Sequence, residues 1–365
     1  MKVLHVYRTC HPITEGGVEQ VIRCICRGTK KLGVTNKILS LSDSKSEIIY
    51  SEGTEIILCK KNWEISSNGF SMELFKQYAK LSQWADIIHF HYPWPTGDLL
   101  FFTSPKKPKI VTYHSDIVKQ NFLKLFYRPI ECQFLKNVTS IVATSPQYMN
   151  SSENLNKYKH KTNIIPLSVD PDDYHFNGNY NINNLGNDFF LFIGVLRYYK
   201  GLHYLLSAAK ETEGNFVIAG DGPMMEELRN RIQIENISNV HLLGFVTNEE
   251  KLELLKRCKA FIFPSHLRSE AFGVSLLEAQ ISKKPIISCD IGTGSSYVNI
   301  HNETGLVVKP ASVSDLSDAI KKLLYNEELC NIFGQNGYNR AMKLFTIEKQ
   351  AKSYVKLYRS ILKDR

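Results

Sequence analysis

Short apolar runs recur along the chain, separated by longer stretches in which apolar residues return every three or four positions. The first pattern predicts β-strands and the second amphipathic helices. In the first half the strands fall at Val3–Tyr7, Lys37–Leu41, Glu55–Cys59, Asp86–His91, Lys109–Tyr113, Ser140–Ala143 and Asn163–Ile165. A second series follows at Phe189–Gly194, Asn215–Ala219, Val240–Leu243, Ala260–Phe263, Pro285–Ser288 and Gly305–Val308, with helices at Leu202–Lys210, Pro223–Glu235 and Asn248–Arg257 among them. Such alternation is the rhythm of parallel sheets covered by helices, because parallel neighbours need a crossover long enough to hold one. The Asn- and Gly-rich stretch Asn177–Asn187 has no apolar period and reads as a linker. Residues 1–176 and 188–346 are therefore expected to form two Rossmann-like α/β domains. Beyond Val308 the pattern is helical only, over Val313–Tyr325, Glu327–Leu344 and Ile347–Leu362. Open α/β sheets bind ligands at the carboxyl ends of their strands, which places the expected site in a cleft between the domains.

Composition narrows the class. A chain of 365 residues with 43% hydrophobic content supports two ordinary cores. The eight cysteines are scattered and form no CxxC pair, so neither a disulfide nor a metal site is expected. The opening MKVLHVYRTC lacks a signal-peptide core, and the longest apolar run, Phe189–Leu196, is far below the roughly 20 residues that span a bilayer; the expectation is a cytoplasmic protein. The net charge of +9 is concentrated early, with 22 Lys and Arg against 14 Asp and Glu in residues 1–170. A basic surface suits an anionic membrane face, a nucleic acid or solubility alone, and no zinc finger, RNP or helix-turn-helix motif supports the nucleic acid. The segment Lys119–Lys136 mixes Phe, Leu and Tyr with cations, as either an interfacial helix or an amphipathic core helix would.

Candidate chemistry centres on Glu270 and Glu278 in SEAFGVSLLEA. A glycine at a loop-to-helix junction frees backbone amides for an anion, here those of Gly273 and Val274, and a carboxylate on either side accepts hydrogen bonds from sugar and ribose hydroxyls. Two solvated glutamates on a capped helix would give the same spacing. Upstream, Gly16-Gly17 precedes a helix over Val18–Lys31, an arrangement that serves a tight turn or close approach to a phosphate. His114 follows a strand and stands at its carboxyl end. Lys200 and Arg197 in GVLRYYKG supply cations where charge would build on a departing diphosphate. His91, Tyr92 and Trp94 end another strand as a possible aromatic platform for an acceptor sugar, with core packing as the competing reading.

The stretch FIFPSHLRSEAFGVSLLEAQISKKP, Phe261–Pro285, resembles the signature of the retaining glycosyltransferases of family 4, and its glutamates match that family's Glu-x7-Glu element. Likeness at Gly16-Gly17, at His114, at the start of the second domain and at the last helix extends the resemblance over essentially the whole chain. It implies the GT-B architecture, two Rossmann-like domains facing each other across a cleft, with the helix at about 347–365 crossing back to the N-terminal domain. The same resemblance implies that Gly16 and Gly17 meet the donor diphosphate, that His114 orients and polarises the reacting sugar, that Glu270 takes part in catalysis, and that the loop at Val246 meets the nucleotide base through its main chain. One departure is visible: the family's Gly-Arg-Leu is here Gly-Val-Leu, with Val195 at the expected arginine and Arg197 two positions later. No acidic DxD element accompanies the histidines, and the resemblance implies neither a catalytic metal nor a cofactor. HFHYPWP, GVLRYYKG and VTYHSDIV most resemble bacterial O-antigen and capsule mannosyltransferases. That implies GDP-mannose as donor and a lipid-diphosphate-linked saccharide as acceptor at the inner face of the cytoplasmic membrane. A UDP-sugar enzyme of the same fold and a catalytically silent nucleotide-sugar-binding scaffold are the alternatives.

Overall fold

The computed structural model describes residues 1–65, 68–103, 106–117, 121–174 and 185–363, with the side chains of 121–126 excepted. The chain divides into two units, Met1–Ser168 with Ile347–Arg365, and Val169–Thr346. The first holds strands β1 (Lys2–Val6), β2 (Thr35–Ser42), β3 (Glu47–Ser51), β4 (Thr54–Lys60), β5 (Trp63–Ile65), β6 (Asn68–Phe70), β7 (Ile87–Tyr92), β8 (Lys109–Tyr113), β9 (Ser140–Ala143) and β10 (Thr162–Ile164). Eight of them form one sheet in the order β10-β9-β8-β7-β1-β2-β4-β3, parallel except for β3. β7 and β8 are buried at every position, as strands covered on both faces must be.

The last helix, Ile347–Lys363, belongs to this unit. Its buried positions, Ile347, Gln350, Ala351, Tyr354, Val355, Tyr358 and Ile361, repeat at helical spacing and form one face. It packs on the helix Gly17–Lys30 at Gly28, where a Cβ would stand 2.8 Å from the Ala351 Cβ and 3.0 Å from the Ile347 carbonyl oxygen. Gln350 ties its start to the unit, accepting from Ser168 Oγ at 2.8 Å and donating to the Pro166 carbonyl at 2.9 Å. Its outward face carries Lys349, Lys352, Lys356, Arg359 and Lys363.

The second unit has a six-stranded, wholly parallel sheet in the order β13-β12-β11-β14-β15-β16. These strands are β11 (Phe189–Ile193), β12 (Asn215–Ala219), β13 (Val240–Gly244), β14 (Ala260–Phe263), β15 (Ile286–Cys289) and β16 (Gly305–Val308). Its core joins Phe190, Phe192, Phe216, Ile218 and Ile262 of the sheet to Leu202, Leu205, Leu206, Leu316, Ile320 and Leu323 of the helices. Val169 donates to the Phe345 carbonyl at 3.0 Å and bridges Thr346, so residues 169–174, expected in the first domain, fold with the second. Of the linker expected over 177–187, residues 177–184 lie outside the described residues.

Two sequence expectations about the first unit change. Tyr92 and Trp94 are 0% and 1% exposed, so they pack the core instead of offering ring faces to a sugar. Tyr92 stacks on Tyr113 at 4.4 Å and donates its hydroxyl to Glu131, while Trp94 lies against Gly97 and edge-on to Tyr7. The helix Asn121–Asn137 carries Pro129 inside it and turns Glu131, Phe134 and Leu135 into the core, the core-helix alternative of the two readings. The start of the segment read as interfacial, residues 119–120, lies outside the described residues.

Candidate active site

In the second unit, β14 ends at Phe263 and a loop carries Ser265 and Glu270 to the helix Val274–Ile281. Gly273 precedes that helix with φ +88°, a left-handed conformation costly for any residue with a Cβ. A Cβ there would also meet the Phe263 ring at 2.7 Å. Glycine brings no capping side chain of its own, which leaves the first amides of the helix suited to an anion. The signature glycine is thus required by geometry and leaves the expected phosphate position clear.

Lys200 and Glu270 meet directly in a hydrogen-bonded ion pair, their side chains only 12% and 11% exposed. Ser265 Oγ adds a bond to Glu270 at 3.3 Å, and the Lys200 ammonium lies over the rings of Tyr199 and Phe263 at 5.5 and 4.9 Å. Gly201, with φ +69°, lets the Lys200 loop approach this site so closely that a Cβ would overlap the Pro264 carbonyl. The two residues assigned to phosphate and sugar therefore stand in contact, each neutralising the other. A charged ligand that draws one partner away must itself match the charge of the other, because breaking a buried pair leaves an uncompensated charge.

Glu278 lies one turn along the helix from Val274 and is held from two sides, by Lys251 Nζ at 2.9 Å and by the Tyr174 hydroxyl at 2.8 Å. Neither partner was singled out from sequence. Lys251 sits on the helix Asn248–Arg257, whose start is fixed by reciprocal bonds between Thr247 and Glu250. Val246 is half-buried just before it, beside Phe245, whose ring is 73% exposed.

The GVLRYYKG loop places Val195 and Arg197 on either side of a buried leucine. Leu196 is fully buried and its main chain pairs with Asp221 and Met224, while Val195 and Arg197 on either side are exposed. Arg197 is extended (φ −117°, ψ 153°) just before the short turn Tyr198–Lys200. The turn Gly220-Asp221-Gly222-Pro223 packs against this loop. A Cβ on Gly220 would overlap the Gly194 carbonyl, which accounts for the glycine structurally.

In the first unit, Gly16 is extended at the N-cap of Gly17–Lys30, and open space surrounds Gly17. The Glu19 carboxylate folds back over Gly16 and accepts from Thr14 Oγ1 at 3.2 Å, so an anion arriving at this helix end must displace it. His114 follows β8, its amide held by the Tyr92 carbonyl at 3.0 Å. Its Nε2 meets His91 Nδ1 at 3.0 Å, and His91 Nε2 meets His5 Nδ1 at 3.1 Å. Beside them His89 bonds the Tyr358 hydroxyl at 2.9 Å and Thr112 Oγ1 at 2.7 Å, and Thr112 in turn meets Tyr354 at 2.9 Å. Burial disfavours a charged imidazole, which lowers His5 to about 4 and His114 to about 3 and puts His89 and His91 well below the ordinary value. His91 therefore belongs to an interior network with His114, not to an exposed acceptor platform. His5 escaped the sequence reading because a histidine within an apolar strand looks like any other strand position.

Comparison with known proteins agrees with this geometry. Residues 15–173 match the model of glycosyltransferase family 4, and residues 179–340 match that of the group 1 glycosyl transferases. The chain is 43% identical over 352 residues to the D-rhamnosyltransferase WbpZ of Pseudomonas aeruginosa, covering 95% of this chain and 92% of that protein. It is 40% identical over 370 residues to the O-antigen chain mannosyltransferase C of Escherichia coli, covering 100% of both. Among solved structures, sucrose-phosphate synthase from Thermosynechococcus elongatus superposes with a TM-score of 0.80 at 19% identity over 100% of both chains. Anabaena HepE in complex with UDP-glucose does so with a TM-score of 0.78 at 15% identity, over 99% of this chain and 100% of the other. The family match and the two full-length relatives together show that the chain belongs to glycosyltransferase family 4, has the GT-B fold, and is a glycosyltransferase.

Proposed function

We propose that this enzyme transfers mannose from GDP-mannose, with retention of anomeric configuration, to a lipid-linked saccharide. The observation that carries the reading is the Lys200–Glu270 pair beside the Gly273 helix start, in a chain 40% identical along its full length to an O-antigen chain mannosyltransferase. The donor diphosphate would accept from the Gly273 and Val274 amides and draw Lys200 onto its oxygens, with Arg197 as a second cation. Glu270, released from Lys200, would accept hydrogen bonds from sugar hydroxyls, and Glu278 would do so from the ribose. As the glycosidic bond breaks, the electron pair leaves with the diphosphate, and Lys200 and the helix amides stabilise the charge that grows there. Every positive group this step needs is supplied by the chain, and the reading requires no metal ion or cofactor.

No described helix is long and apolar enough to cross a membrane. The row of Lys349, Lys352, Lys356, Arg359 and Lys363 on the last helix supports peripheral attachment to an anionic inner leaflet, where each cation near the surface adds about 1 kcal/mol. A second reading has an observation of its own: the 43% identical relative is a D-rhamnosyltransferase, and D-rhamnose is mannose without its 6-hydroxyl.

Thermal stabilisation by GDP-mannose, the corresponding 6-deoxy sugar nucleotide, UDP-glucose and UDP-N-acetylglucosamine separates these readings. The true donor at 100 times its dissociation constant adds about 2.7 kcal/mol. A larger shift with a UDP-sugar than with either GDP-sugar would remove the proposal. Stabilisation by GDP-mannose without transfer to any lipid-linked saccharide would favour the scaffold alternative.

A further inference from the structure

His5, His91 and His114 lie on neighbouring strands and run in one line from the interior to the strand end. β1 pairs with β7 and β7 with β8, and His89 and His91 project to the same face of the sheet. The rings of His5 and His91 stack at 24° and those of His91 and His114 at 19°. At the inner end His5 Nε2 stands 3.3 Å from Asn36 Oδ1.

Asn36 gives the line a direction. Its Nδ2 donates to the Cys26 carbonyl at 3.1 Å and to Thr29 Oγ1 at 3.0 Å, and Thr29 spends its own proton on the Ile25 carbonyl at 2.6 Å. Both partners of Nδ2 therefore accept, the amide cannot be turned round, and the atom facing His5 is an oxygen with no proton to give. His5 must carry its proton on Nε2. A neutral imidazole has one N–H, so His5 Nδ1 is an acceptor and His91 Nε2 must donate to it. By the same step His91 Nδ1 accepts and His114 Nε2 donates, which leaves His114 Nδ1 as an unprotonated lone pair. That atom has no hydrogen-bond partner among the described residues, and His114 retains 8% exposure.

We propose that Asn36, acting through His5 and His91, fixes the tautomer of His114 so that its Nδ1 accepts a hydrogen bond from a hydroxyl of the transferred sugar. The role at the sugar rests on the donor proposed above and on the sugar-orienting place that the family resemblance implies for His114; the tautomer itself rests on neither. Asn36, His5 and His91 are positioning residues, since none of them reaches the sugar. Burial supports the scheme by keeping every ring neutral, as the direction of the chain requires. A metal on the His5, His89 and His91 nitrogens is the competing use of the cluster. All six of those nitrogens already have hydrogen-bond partners and no carboxylate among the described residues completes the group, so a cation would break bonds that the relay satisfies.

Two measurements test this on the full-length protein. With 15N-labelled histidine, long-range 1H–15N correlation spectra at neutral pH are expected to show His5, His91 and His114 each protonated on Nε2 alone. In Asn36→Leu and in His91→Phe, His114 is expected to become a mixture of tautomers. A parent His114 protonated on Nδ1, or an unchanged His114 tautomer in both folded variants, overturns the relay. Titration calorimetry with GDP-mannose and with GDP reads the sugar contact. Both variants are expected to lose roughly 2- to 10-fold in affinity for GDP-mannose, the range of one hydrogen bond, and none for GDP. Equal losses for the two nucleotides, or no loss for either, overturn the contact with the sugar. A parent that binds neither GDP nor GDP-mannose overturns the donor assignment instead, and the spectra still decide the relay.

Discussion

Lys200 and Glu270 neutralise each other in a place where water reaches little of either side chain, so each protects the fold from the other's charge. Removing one partner of a buried pair strands the second, and Lys200→Ala is expected to cost about 3–5 kcal/mol in denaturant unfolding. The double variant Lys200→Met/Glu270→Leu should recover most of that stability while GDP-mannose no longer raises its melting temperature. If the double variant unfolds as readily as the single one, the pair is not the source of the loss. Glu270→Ala is expected to abolish transfer, and turnover within a few-fold of the parent would remove its catalytic role. The Glu278 contacts make a gentler case. Tyr174→Phe deletes one hydroxyl donor and is expected to weaken nucleotide binding by roughly 2- to 10-fold with the melting temperature of the free enzyme little changed.

Among the elements, glycine marks where backbones come close. Gly273→Ala combines a left-handed residue with a Cβ set against Phe263, and a loss of about 1–3 kcal/mol is expected together with weaker donor binding. Unchanged donor affinity in that variant would show that the helix start does not hold the phosphate. The parallel strands were legible because strands buried on both faces are largely apolar, as at Lys109–Tyr113 and Ala260–Phe263, where the predicted and observed limits coincide. β3 was not, because an antiparallel edge strand alternates half-buried and exposed positions and its apolar run, Ile48 to Tyr50, is only three residues long between polar ends. Its turn is formed by Glu52 and Gly53, both at positive φ, where asparagine would have given a clearer signal. The hairpin of β5 and β6 is shorter still, and β5 is exposed at all three positions. In the site, Glu270, Gly273 and Lys200 could be read from one motif and one loop. Lys251, Tyr174, His5 and Asn36 act through contacts 27 to 104 residues away along the chain, which local pattern cannot reveal.

At the scale of the whole molecule, the buried histidines set a pH limit. Their folded-state values lie below that of a free imidazole, so the unfolded chain takes up more protons once the pH falls under about 6.5. Stability is therefore fully present above that pH and is lost as the pH drops toward about 4 for His5 and about 3 for His114, at a slope near 1.4 kcal/mol per unit for each histidine. The other titratable groups packed on the cluster, Tyr7, Tyr354, Tyr358 and Cys26, are shifted upward by burial and stay neutral across this range. Urea unfolding at pH 7.5 and pH 5.0 should show the acid sample weaker, and equal midpoints would mean the cluster is hydrated. The helix Ile347–Lys363 adds a constraint of another kind, because it completes a unit whose first strand begins at Lys2, with Val169–Thr346 inserted between. During synthesis on the ribosome the inserted unit emerges whole and is free to fold at once, while the earlier one waits, with His89, Thr112 and Gly28 uncovered, until the final turns have left the exit tunnel. The portion made first is finished last, and for that interval the nascent chain depends on whatever shields apolar surface in the cell.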